Sequence, residues 1–166
     1  YPLESVQAMA RIAIAAESMF PFADWDAHYK RLGVMGTAES VARSACQTAD
    51  AVDAAAIVTL TSSGSTTRLV SKYRPRQPIL AMTDDERTWR ALSLVWGAIP
   101  ILTPAAESLE DLETMCLDMA VEQGYLKRGD TVVLTAGVPL HVSGCTNLVK
   151  ILMVGCGGAA YCELDL

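Results

Sequence analysis

A chain of 166 residues, 51% of them hydrophobic, can bury one substantial core and is too apolar to remain disordered. Its net charge of −6 speaks against nucleic acid, whose binding rests on cationic contacts to phosphate. No apolar run approaches the roughly 18 residues of a membrane span, so no membrane partner is expected.

Five Cys without a C-x-x-C pair suit neither a disulfide framework nor a zinc site, which points to a reducing cytoplasm. His28 and His141 stand far apart, and neither has a ligand-like neighbour at helical spacing, so no metal site is expected. The chain opens on Tyr1-Pro2, with no initiator Met and no signal peptide, and is expected to be a piece of something longer.

Pro2 suits the first turn of a helix, and Val6, Met9, Ala13, Ala16 and Phe20 recur at three- and four-residue steps until Pro21 ends it. Residues 22–36 read as a linker, where a change of composition marks a domain boundary. Thr37 as N-cap, with Glu39 in the first turn, opens an Ala-rich helix through Val41, Ala45, Thr48, Ala49 and Val52. An apolar strand over residues 55–60 then breaks into a loop of hydroxyls around one glycine. A basic amphipathic helix over 66–73 follows and stops at Pro75.

A short buried strand over 78–82 comes next. Thr83-Asp84-Asp85-Glu86 reads as a capping box for a helix carrying Trp89, Leu92, Val95 and Trp96, with Gly97 closing it. Residues 98–102 form another strand. Ser108 starts a helix with Leu112, Met115, Met119 and Val121 facing inward and Gly124 at its end. Strands over 131–135 and 148–154 are joined by an eleven-residue connection, 136–146, and the tail 155–166 carries no assignment.

Strands alternating with single helices specify a three-layer α/β/α sandwich with about five strands. The first three strands should be parallel, and the last pair, joined without a helix, antiparallel. Ligands of such open sheets sit beyond the carboxyl ends of the strands.

Thr61, Ser62, Ser63, Gly64, Ser65 and Thr66 occupy that position, and with Thr67 they offer six hydroxyls and one glycine. Hydroxyls donate to phosphate oxygens, Gly64 permits close backbone approach, and a helix N-terminus adds about half a positive charge. Arg68, Lys72, Arg74 and Arg76 place four of the chain's 13 cations within nine residues, a local positive field. The alternative is that the hydroxyls only cap the helix and the cations only complement its C-terminal dipole. A P-loop is excluded, because no Lys follows Gly64. The second loop, with Pro139, His141, Ser143, Gly144 and Thr146, can close over the same edge. A Cys145 nucleophile activated by His141 is the sharper alternative there. It lacks a third orienting group.

In order and spacing, four segments resemble the carboxyl-terminal part of pyruvate kinases: YPLESVQAMARIAIAAE, LTSSGSTTRLVSKYRPRQPILAMT, ALSLVWGAIPIL, and KRGDTVVLTAGVP with SGCTNLVKI. The resemblance implies that residues 1–20 are the last helix of a catalytic barrel, 21–36 a linker and 37–154 a regulatory C-domain, with 155–166 unassigned. It implies phosphate binding by the T-x-S-G-x-[ST] loop, here Thr61 to Thr66, and effector closure by Pro139 to Thr146. The implied partners are an anionic sugar-phosphate or nucleotide monophosphate effector, the protein's own catalytic domain and further copies in a tetramer. The implied cofactors are magnesium and potassium for the whole enzyme and none for this segment. The family's catalytic residues would lie upstream of Tyr1, so this piece should be inactive by itself. It should self-associate through the face of Val6, Met9, Ala13 and Phe20. Ala105 and Leu112 fall where animal and yeast relatives place a Trp and an Arg for a second phosphate, and Ser65 stands where an Arg is often found. One phosphate is therefore expected, not two. The alternative role is assembly alone, with a degenerate effector site.

Overall fold

Five stretches rich in Ile, Val, Leu and Ala pair into one sheet: β1 (Ala56–Leu60), β2 (Ile79–Thr83), β3 (Ala98–Leu102), β4 (Thr131–Gly137) and β5 (Thr146–Met153). The computed structural model describes residues 1–21, 35–106, 108–140, 142 and 145–155. They fall into two compact units, Tyr1–Leu32 and Gly33–Leu166.

The sheet order is β3-β2-β1-β4-β5, parallel throughout except for the antiparallel pairing of β4 with β5. Every residue of β1 and β2 is buried, which is why both read as continuous apolar runs without alternation. Val58, Leu80, Val132 and Leu134 meet α5 (Leu109–Glu122) through Cys116 and Ala120. On the sheet's other side lie α2 (Thr37–Ala51), α3 (Ser65–Lys72) and α4 (Glu86–Leu92). Ala42, Ala45 and Ala49 of α2 are wholly buried, so small side chains set the close approach of that helix. Helices on both faces make the expected three-layer sandwich.

The connectivity positions the site. From β1 the chain steps outward to β2 and β3, then returns through α5 to lay β4 on the opposite side of β1. β1 and β4 therefore flank the point where the winding reverses, and open α/β sheets leave a crevice beyond the strand ends there.

Several expected boundaries shift for identifiable reasons. Gly36, not Thr37, is the N-cap of α2, and Thr37 is its first helical residue. The box from Thr83 to Glu86 does not form, because Thr83 completes β2 opposite Leu102. Asp85 caps α4 instead, accepting from the Thr88 N–H at 2.7 Å. That bond holds the Asp85 carboxyl below the usual carboxylate range. α4 ends at Leu92, well short of Trp96, and a turn leads to Gly97 at φ +69°. On α5 the fully covered residues are Glu113, Cys116 and Ala120; Leu112, Met119 and Val121 face inward as expected and pack half-buried against the same core, while Met115 is half-buried outside it. Cys116 and Ala120 take the line of closest contact with the sheet, and the bulkier side chains pack to either side of it. Glu113 is accommodated there by Lys150 of β5, whose Nζ donates at 2.6 Å.

In the first unit, α1 (Pro2–Glu17) opens with Pro at its first turn and ends before Pro21. None of its residues is buried, and Val6, Met9, Ile12 and Ile14 lie open.

Candidate functional site

Thr61 continues the β1–β2 ladder, donating its N–H to the Met82 carbonyl at 3.0 Å. Its Oγ1 then turns back to accept from the Gly64 N–H at 2.9 Å, which closes a tight loop. Gly64 is the N-cap of α3 and sits at φ +79°, the left-handed region in which a side chain is strained. A Cβ there would also lie 3.1 Å from Leu92 Cδ2. Thr88 braces the loop from outside by donating its hydroxyl to the Ser62 carbonyl at 2.8 Å. No side chain caps α3. The N–H groups of its first turn, on Ser65, Thr66 and Thr67, have no acceptor within the helix, as at any helix start.

The six hydroxyls divide by what they touch. Thr67 turns inward and shares a buried hydrogen bond with Thr59 at 2.7 Å, so it belongs to the core. Thr66 shares a similar bond, also 2.7 Å, with Thr146 at the start of β5, joining the two expected loops directly. Ser63 donates to Ser65 at 3.2 Å on the exposed rim.

Most of these residues form one wall of a solvent-open cleft. Thr61, Ser62, Ser63, Ser65 and Thr66 line that wall, and Gly64 lies buried within the loop. Met82, Thr83, Asp84 and Thr103 come from the ends of β2 and β3, with Ala105 and Leu112 beside them. Gly137, Leu140, Val142, Cys145 and Thr146 close the β4–β5 side. Gly137 is tight against the loop's far end, since a Cβ on it would stand 3.1 Å from the Cys145 carbonyl carbon and oxygen.

Pro139 is described but does not line the cleft. His141, Ser143 and Gly144 lie outside the described residues, and the proposed Cys145–His141 pair falls outside them with His141. Cys46 and Cys116 are thiols pushed up to about 12 by burial, far from the thiolate form that nucleophilic chemistry needs.

The basic cluster does not line the cleft. Among the described lining residues there is no Lys or Arg. Lys72 pairs with Glu39, and the Arg74 guanidinium lies 4.6 Å from the Trp96 ring centroid. The length of α3 explains part of this: at about 1.5 Å per residue, Lys72 stands at the far end of the helix with Arg74 and Arg76 beyond it, whereas Arg68 lies exposed only one turn from Gly64. The hydrogen bond from Lys72 holds the Glu39 carboxyl below the usual carboxylate range.

Three contributors went unrecognised in the sequence. Asn147 clamps the neck of the second loop, with its Oδ1 accepting from the Val138 N–H at 2.9 Å and its Nδ2 donating to the Val138 carbonyl at 2.6 Å. Asp84 and Thr103 enter the cleft from neighbouring strand ends, a placement that follows from sheet order and has no local signature. Among the described residues, no three His, Cys, Asp or Glu side chains gather as a metal site would require, and no helix is long and apolar enough to cross a membrane.

Comparison with known proteins places this geometry. Residues 39–152 match the family model described as the pyruvate kinase alpha/beta domain. A pyruvate kinase of Clostridium acetobutylicum is 40% identical over 154 residues, covering 93% of this chain and 33% of the relative. One from Geobacillus stearothermophilus is 38% identical, covering 93% of this chain and 26% of the relative. A crystal structure of a pyruvate kinase from Cryptosporidium parvum superposes with a TM-score of 0.80 at 29% identity, over 93% of this chain and 30% of that one. The chain thus spans between a quarter and a third of the length of these relatives.

Proposed function

Since the chain belongs to the pyruvate kinase family through its alpha/beta domain, we propose that it is the regulatory part of a pyruvate kinase and that its cleft binds an anionic effector. In this proposal the whole enzyme moves a phosphoryl group from phosphoenolpyruvate to ADP, giving pyruvate and ATP, in the cytoplasm and as a homotetramer. Magnesium and potassium serve the catalytic part, and nothing among this chain's described residues is assigned to them.

The observation that carries the effector role is the start of α3. It has no side-chain cap, it opens beside the Thr61, Ser62, Ser63 and Ser65 hydroxyls, and it lies at the carboxyl end of β1 next to the point where the winding reverses. A phosphate there accepts from backbone N–H groups and hydroxyls without needing a cation. Charge-assisted hydrogen bonds of about 1.5–3 kcal/mol each cover an allosteric coupling of about 1–3 kcal/mol. The Thr66–Thr146 bond links this site to β5 and supports the view that the two loops respond together.

One observation favours the rival role of assembly alone. The only charged side chain among the described lining residues is a carboxylate, Asp84. Calorimetric titration of the chain with inorganic phosphate, ribose 5-phosphate, glucose 6-phosphate and AMP decides between the two. Saturable binding at or below millimolar concentration, weakened about tenfold by Thr61→Ala, is the expected result. A folded sample that takes up none of the four sinks the effector role and leaves assembly.

A further inference from the structure

We propose that the Thr59 hydroxyl is a two-position latch for α3, bonded to Thr67 while the helix is seated on the sheet and to Thr135 when its amino end lifts. The latch concerns the motion of the helix and does not depend on which ligand, if any, the cleft takes.

The packed face of α3 suits such a motion. Its buried residues are Thr66, Thr67, Val70 and Ser71, so hydroxyls outnumber aliphatic side chains three to one. Discrete hydrogen bonds therefore seat much of the helix. Thr66 bonds Thr146 and Thr67 bonds Thr59 near its amino end, and Ser71 donates to the Trp96 carbonyl near its carboxyl end, each at 2.7 Å. A close-packed aliphatic face loses contact with every fraction of an ångström it moves. A hydroxyl loses little if a second partner is within reach.

Thr135 is that second partner. It is fully buried, yet its Oγ1 has no hydrogen-bond partner among the described residues, a condition in which folded proteins seldom leave a hydroxyl. Thr59 and Thr135 are register partners on the adjacent parallel strands β1 and β4. Their chain neighbours Val58, Leu60, Leu134 and Ala136 belong to the core under α5, so alternation places both threonines on the opposite face, beneath α2 and α3. Neighbouring strands lie about 4.8 Å apart, and rotation of each threonine between staggered χ1 positions brings the two hydroxyls into hydrogen-bond range. Thr67, once released, turns its hydroxyl to a carbonyl one turn back in its own helix. Thr66 and Thr146 part at the cleft, which is open to solvent. The carboxyl end remains the pivot, fixed by Ser71 and by Arg74 over the Trp96 ring. Seated, the helix leaves Thr135 unmatched; lifted, it leaves none of the hydroxyls of Thr59, Thr67 and Thr135 unmatched. The two states are therefore close in free energy.

Nuclear magnetic resonance of the full chain tests this with three variants, Thr135→Val, Thr135→Ser and Thr67→Val. In the wild type, relaxation dispersion of the Thr59 and Thr67 methyl groups should report exchange with a minor state on the microsecond-to-millisecond scale. Thr135→Val keeps the shape of the side chain but removes the second partner. It should suppress that exchange and slow hydrogen exchange of the Arg68, Leu69 and Val70 amides by about two- to tenfold, the weight of one ordinary hydrogen bond. Its unfolding midpoint in urea should not fall, because the hydroxyl removed is one that the seated state leaves unmatched. Thr135→Ser restores a hydroxyl and should restore the wild-type dispersion. Thr67→Val removes the seated partner and should speed exchange of the same amides by a similar factor. Absent dispersion in the wild type, dispersion that persists in Thr135→Val, or amide exchange unchanged in both valine variants overturns the proposal. So does a marked loss of stability in Thr135→Val, which would mean that this hydroxyl has a permanent partner, a buried water included.

Discussion

At its carboxyl end α3 is held by partners on every side. Ser71 donates its hydroxyl to the Trp96 carbonyl at 2.7 Å, Lys72 pairs with Glu39, and Arg74 lies over the Trp96 ring. At its amino end the same helix begins on a glycine, with no side-chain cap, beside a cleft. A glycine N-cap forgoes a side-chain acceptor for only a few tenths of a kcal/mol relative to Ser or Asn, and it leaves the first N–H groups for another acceptor. The contrast separates two uses of polarity. Two of the cations conspicuous in the sequence, Lys72 and Arg74, reach α2 and the segment before β3. The amino end opens on hydroxyls and first-turn N–H groups, with no cation among the described lining residues and Arg68 one turn further along the helix.

The sharpest way to break that division is to alter the backbone on which the open end depends. Gly64→Val forces a β-branched side chain into left-handed backbone and drives its Cβ to 3.1 Å from Leu92 Cδ2 and 3.4 Å from Thr88 Cγ2. The backbone strain costs about 1–2 kcal/mol and the overpacking about 1–3 kcal/mol. Urea unfolding should therefore show a loss of about 2–5 kcal/mol, with phosphate binding abolished. A variant of native stability would mean that the loop relaxes and that its shape is not set by Gly64.

A smaller effect is expected at the closed end. Ser71→Ala removes the donor to the Trp96 carbonyl and should cost about 1 kcal/mol in the same unfolding measurement. Ribose 5-phosphate affinity should stay within about twofold, because Ser71 does not line the cleft. A marked fall in affinity would show that the two ends are coupled through the helix and that the division drawn here is false.

How much of this was legible in the sequence depends on the range of the interaction that decides each feature. β1 and β2 were legible because burial on both faces leaves an unbroken apolar run bounded by Gly, Pro and hydroxyls. The antiparallel last pair followed from the lack of a helix between its strands. The Thr61 to Thr66 loop was legible because a strand, a hydroxyl-rich turn and a helix start are all local. What failed were inferences that needed distance. Lys72, Arg74 and Arg76 are close to Gly64 in sequence, but the helix converts that nearness into an axial separation and leaves only Arg68 within a turn of it. Asp84 was assigned to a capping box because Thr83 and Glu86 have the right spacing, and only the pairing of β2 with β3 removes Thr83 to the sheet. Thr103, Asn147 and the inward line of Cys116 and Ala120 on α5 carry no local mark, since each takes its meaning from a partner on another element.

The smallest expected effect concerns the ion pair at the closed end. The hydrogen bond from Lys72 depresses the Glu39 carboxyl in the folded state. A carboxyl whose folded value lies below its unfolded one contributes stability while it is ionised in both states, above the unfolded value. That contribution is lost as pH falls through the folded value. Glu39→Gln removes it at neutral pH and has nothing left to remove in acid. Unfolding curves of wild type and variant, measured between about pH 7 and pH 3, should therefore be separated at neutrality and converge below the ordinary carboxylate range. Added salt should narrow the neutral gap, because both side chains reach solvent. Asp85 has the same sign of shift but an independent cause, the Thr88 N–H, so its share of acid sensitivity should persist in both proteins. Curves that stay parallel throughout would mean that Lys72 holds α3 to α2 through the packing of its stem and that the charge of Glu39 adds nothing.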